Sequence, residues 1–152
     1  MHASKLMRLF CTLMMALLAS TAQAAGEYDA TVGKFFSLLG ENKSDEATDY
    51  LFSGNPWLRQ SPDQTQNVKS QLANLGRLVG AYKGQEKLIE EKVGANYVYL
   101  IHLGLYERQP IRFKFAFYKT DGKWRFQNFS FDATFSEDVE RLADQKLLTG
   151  KP

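Results

Sequence analysis

His102 and Asp132 are the residues of this chain best suited to moving a proton. Apart from His2, His102 is the only imidazole, and imidazole titrates close enough to neutrality to act as a general base. Asp132 can do the same where desolvation raises its pKa, and either Asp132 or Asn128 can orient the His102 ring. That pair would serve a dehydratase- or isomerase-type enzyme. Plainer roles fit both residues too: a lone strand histidine is more often packed than catalytic, and a carboxylate near a strand end is ordinarily solvated. Neither is therefore assigned a catalytic role from the sequence. Other chemistries lack their residues. The chain has no Gly-x-Ser-x-Gly elbow, no His-Glu-x-x-His and no phosphate-binding glycine loop. Cys11 is its single cysteine, and no acidic loop has the spacing of a carboxylate cage. No metal or cofactor is expected.

The N-terminus sets the compartment. Lys5 and Arg8 precede an apolar run from Leu9 to Leu18, and Ala22-Gln23-Ala24 supplies the small residues a signal peptidase requires. Residues 1–24 thus read as a cleaved signal, giving a periplasmic or secreted protein that begins at Ala25. The apolar run is far short of the ~20 residues of a membrane span, and none is expected in the mature chain. Cleavage removes Cys11 and His2. It also removes two of the 19 basic residues, so that they equal the 17 acidic ones and the net charge falls from +2 to zero. A neutral domain has no long-range field with which to gather nucleic acid. Residues 25–152 suit a single domain.

The elements that position these residues change type partway along. Tyr28, Val32, Phe35, Phe36 and Leu39 recur at helical spacing up to Gly40. Ser44 can cap a short second helix with Asp45 and Glu46 in its first turn. Ser61-Pro62-Asp63-Gln64 starts a third, lined by Val68, Leu72, Leu75 and Val79. From Ala81 the period becomes two. Strands are predicted over Tyr82–Lys92, Asn96–Tyr106, Ile111–Lys119 and Lys123–Ala133, with turns at Gly94-Ala95, Arg108-Gln109 and Asp121-Gly122. Short consecutive turns imply an antiparallel meander, and Ser136 can cap a final helix. The class is α+β: N-terminal helices on a curved four-stranded antiparallel meander, with a C-terminal helix.

That order, with Gly80-Ala81-Tyr82-Lys83-Gly84-Gln85-Glu86 at the helix-to-sheet transition and the hairpin from Phe117 to Asp132 around Asp121-Gly122, resembles the NTF2-like superfamily of α+β cone folds, especially its small secreted members. The resemblance implies a sheet whose concave face wraps the helices and can hold a pocket, and whose convex face commonly pairs two copies. It implies no particular chemistry, because the fold carries enzymes and association domains alike.

Two-residue turns fix which side chains share a face. They set Phe117 opposite Phe126, Phe115 opposite Asn128, Phe113 opposite Ser130 and Ile111 opposite Asp132; in the neighbouring pair, His102 lies opposite Phe115 and Leu100 opposite Phe117. One face then carries Phe113, Phe115, Phe117 and His102, with Asn128 and Ser130 at one end: either a small-molecule wall or simply the core. The other carries Tyr99, Ile101, Leu103, Phe129 and Phe131, which a second copy or the last helix must cover. A basic run, Arg108, Arg112, Lys114, Lys119, Lys123 and Arg125, reads as a solvated surface. The leading expectation is a non-catalytic domain that binds a small apolar ligand or a protein partner and forms a homodimer. An enzyme using His102 or Asp132, and a structural partner of an envelope protein, are the alternatives.

Overall fold

The computed structural model describes residues 26–60 and 62–150. The expected signal segment and the Ser61 cap lie outside them. Helix α1 occupies residues 26–40 and is followed by α2 (Ser44–Ser53), a 3-10 turn (Leu58–Gln60) and α3 (Pro62–Val79). Strands β1 (Tyr82–Val93), β2 (Tyr97–Tyr106), β3 (Ile111–Thr120) and β4 (Lys123–Asp132) form one antiparallel sheet in sequence order, and α4 (Phe135–Thr149) ends the described chain. Two helix starts differ from the sequence expectation. Ser44 is the first helical residue after Lys43, and α4 begins after Thr134 rather than at Ser136; neither N-cap side chain makes a capping hydrogen bond.

The core is the layer between α1 and one face of the sheet. Phe35 and Phe36 are buried, and their rings meet Phe113 and Phe115 edge-to-face with centroids 5.3 to 6.1 Å apart. Val98, Leu100, Ile111, Phe117 and Phe126 complete it with Leu51, Leu72, Leu75 and Val79 from the helices. Edge-to-face contacts of this kind add to the stabilisation from burial, each by about 0.5–1.5 kcal/mol. An ionic group fixes the start of α1 to the edge strand: Tyr28 donates to Glu90 (2.8 Å), and Lys87 reaches both Asp29 and Glu90 at 2.8 Å.

Register is where sequence and structure part. In the β2–β3 pair, His102 faces Phe113 and Leu100 faces Phe115, two residues from the expected register. The tight hairpin does not form because its amides are used elsewhere: Glu107 N donates to Ala81 O and Arg108 N to Val79 O. A two-residue shift keeps every side chain on its face. In the β3–β4 pair, Phe117 faces Phe126 as expected, but a bulge at Gln127 then advances β4 by one, so that Phe115 faces Phe129, Phe113 faces Phe131 and Arg112 faces Asp132. A one-residue shift exchanges the faces. Phe129 and Phe131 therefore pack on the core, while Asn128, Ser130 and Asp132 belong to the outer face.

Gly104 permits the β2–β3 contact. A Cβ there would lie 2.5 Å from the Phe113 ring, whose own surroundings are closed. Gly104→Ala is expected to destabilise the domain by about 1–3 kcal/mol through overpacking, measured as a lowered denaturation midpoint with an unchanged slope.

Candidate functional site

The site candidates separate onto two faces. His102 lies on the inner face, 3% exposed, against Phe36 and Phe115 at ring distances of 5.4 and 5.8 Å. Its Nδ1 sits 2.6 Å from Gln85 Oε1, an arrangement in which Nδ1 carries the proton and donates. Nε2 is buried with no partner among the described residues. Burial, reinforced by the nearby Lys87 charge, lowers the His102 pKa to about 4, so the ring is neutral at physiological pH. A neutral imidazole has a free lone pair, but here the ring is buried beside Phe36 and Phe115, and His102 lines none of the three cavities described below.

Asp132 is on the opposite face, so it cannot orient His102. Arg112 contacts it at 2.9 Å and Lys114 at 2.8 Å, and the Thr134 hydroxyl donates to it at 2.9 Å. Burial works to raise its pKa, but the hydrogen bonds from Lys114, Arg112 and Thr134 outweigh burial and hold the carboxyl well below the usual range. A carboxylate so committed is a poor proton acceptor near neutrality. Arg112 also reaches Asp138 at 2.7 Å, tying the first turn of α4 to the sheet. The basic run is thus partly neutralised at its centre, a pairing that the expected register concealed.

Of the expected ligand wall, Phe113 and Phe115 are fully buried in the core. Phe117 alone reaches a cavity, of about 400 Å³, beside Tyr28, Trp124 and Lys123. Asn128 and Ser130 are exposed on the far face and cannot orient a ligand held at that wall. A second cavity, of about 300 Å³, lies between α2 and α3 near the Asp49–Lys69 ion pair. A third, of about 370 Å³, opens where α1, α2 and α3 meet the paired ends of β1 and β2 at Tyr82 and Tyr106. Sequence reading missed this last one; its signal was a tyrosine at the start of one strand and another at the end of the next, which an antiparallel pair brings together.

The outer face carries Tyr97, Tyr99, Ile101, Leu103 and Leu105 along β2, as expected. The bulge withdraws Phe129 and Phe131 from that set. Ile89, Val93 and Tyr118 extend the apolar surface and are about half exposed or more. The last helix does not cover it: α4 has no buried residue, and Val139, Leu142 and Leu147 remain exposed. Among the described residues no helix is long and apolar enough to cross a membrane, and no cluster of acidic, histidine or cysteine side chains is placed to hold a metal. No family model, curated protein or solved structure matches the chain.

The buried ring makes stability depend on pH. An unfolded chain protonates His102 near 6.5, whereas the folded chain does so only near 4, so the unfolded state binds more protons between these values. The stabilisation is therefore complete above pH 6.5 and is lost as pH falls. Glu90, lowered to about 2 chiefly by its bond from Lys87, loses its contribution only below its ordinary 4.5. Denaturant unfolding should show a loss on the order of 2 kcal/mol between pH 6.5 and 4.5. His102→Gln should flatten that interval while leaving the decline below pH 4.5.

Proposed function

We propose that this chain is an exported, non-catalytic NTF2-like domain that works as a homodimer joined through the outer face of its sheet. The order of three helices followed by a four-stranded antiparallel meander supports the family reading. The charged and apolar pattern of the N-terminal sequence supports export. The observation that carries the functional reading is the outer face itself. Five consecutive outward positions of β2 are tyrosine, isoleucine or leucine, in a place where a solvated sheet would alternate to polar residues. An apolar surface of that extent marks an interaction site, and α4 leaves it open.

A second copy satisfies this face by symmetry, since an isologous contact asks each patch to complement itself. Arg112, Lys114 and Asp132 lie at one side of the patch, already paired with one another. Such a rim fixes orientation without requiring a partner to supply the missing charge. The enzyme reading has less support, because the neutral His102 ring and the committed Asp132 carboxylate face opposite sides of the sheet.

Sedimentation equilibrium on the mature chain tests the proposal. Wild type is expected to be a dimer at micromolar concentration. Ile101→Asp, at the centre of the patch and opposite Lys114 in the register, should weaken the dimer about 100-fold, because each of two copies loses on the order of 1.4 kcal/mol. Its far-ultraviolet circular dichroism should be unchanged. A wild-type monomer would overturn the homodimer and leave an envelope protein as the occupant of the face.

A further inference from the structure

We infer that the cavity beside Tyr82 and Tyr106 binds a flat, uncharged small molecule through a carbonyl-type oxygen at one edge. The site is independent of the outer face, since it opens among the helices at the end of the sheet where β1 begins and β2 ends. Three observations converge on it.

The first is the pair of phenols. Tyr82 and Tyr106 are register partners, with ring centroids 5.4 Å apart and an edge-on angle of 71°. Neither hydroxyl has a hydrogen-bond partner among the described residues. Burial raises both pKa values, Tyr82 to about 12. Both therefore stay protonated at any physiological pH. Two neutral donors on the wall of one cavity, partly removed from water and unused by the protein, suit a ligand that brings an acceptor oxygen.

The second is the space itself. The cavity measures about 370 Å³, enough for two or three fused rings. Gly76 keeps part of it open. A Cβ added to Gly76 would meet nothing within 4 Å, so no neighbour forbids a side chain there. Glycine inside α3 nonetheless costs about 1 kcal/mol of helix stability relative to alanine. The buried side chains Leu39 and Leu72 supply apolar walls. Among the described residues no charged side chain lines the cavity, so an ionised ligand would lose hydration without gaining a partner there.

The third is rigidity. Gly80 holds φ +87° at the exit of α3, with the Glu107 side chain packed where a Cβ would be. The Glu107 carboxylate accepts from Ala81 N at 3.0 Å, and Arg108 donates to the last carbonyls of α3, Arg77 O and Leu78 O, at 3.2 Å each. On the other side Tyr82 stacks on Phe36 at an interplanar angle of 10°. The loop after β2 thus clamps the end of α3, and the tyrosines are set before any ligand arrives. A preorganised site loses less entropy on binding.

Coumarin and naphthalene are suitable probes, because they share size and flatness while coumarin alone carries the carbonyl. Both would be titrated to their solubility limits into the 15N-labelled chain. Amide shifts from coumarin should cluster at Gly76, Ala81, Tyr82 and Tyr106. Tyr82→Phe and Tyr106→Phe should each weaken coumarin about fivefold, the value of one hydrogen bond, and leave naphthalene unchanged. Gly76→Leu should abolish binding of both probes while matching or exceeding wild-type thermal stability. Equal affinity of coumarin for wild type and both phenylalanine variants would overturn the inference. So would shifts scattered over the surface, or none at all.

Discussion

The contact on which the rest of the molecule depends is that of Phe35 and Phe36 with the phenylalanines of β3. Neighbours on a helix point about 100° apart, yet both rings of this pair are buried, one meeting Phe129 as well as β3, the other stacking toward Tyr82 and His102. α1 is thereby held across the width of the sheet. Its start is fixed to β1 through Tyr28 and Asp29, and its end brings Leu39 to the mouth of the tyrosine cavity. Burying several large aromatic side chains in one layer is the main favourable contribution available to a domain of this size. The cavity and the outer face are the boundaries of that layer.

Gln127 divides the two ends of β4. Before the bulge, Trp124 and Phe126 are turned toward the helices; after it, Phe129 and Phe131 are. The aromatic layer thus continues across a break in phase, and the residues displaced to the outer face include the carboxylate that Arg112 and Lys114 require. With strict alternation, Asp132 would face phenylalanine rings, Lys114 would lack its acid and Arg112 would keep only Asp138. Removing an ionised carboxylate from water without a partner costs several kcal/mol. The extra residue therefore resolves a conflict between apolar packing and charge along one strand.

The type and order of the elements were legible because each follows from local pattern. Predicted and observed strands agree within a residue at every end, and Asp121-Gly122 turns as its composition indicates, with φ of 52° and 73°. Register was not legible to the same degree. The Arg108-Gln109 turn is loosened by bonds to α3, more than twenty residues earlier, and the bulge answers to the packing of the whole aromatic layer. The consequence fell on the site residues. His102, Phe113, Phe115 and Phe117 kept their face, whereas Asn128, Ser130, Asp132, Phe129 and Phe131 exchanged theirs. The tyrosine pair escaped notice because strand ends carry little periodic signal, and because a helix glycine at Gly76 reads simply as a weak helix position.

β1 is the long, uncovered border of the sheet, and its form restricts how this protein can meet others. It breaks register twice against β2, and its sequence places Lys83, Glu86, Lys87, Glu90, Glu91 and Lys92 along a single strand. Irregular twist and a dense mixture of charges make poor templates for a further strand. Growth of the sheet sideways, the route to open-ended fibres, is thereby discouraged at this one of its two borders. A neighbour that instead meets the broad surface through a two-fold contact would close on itself after two copies.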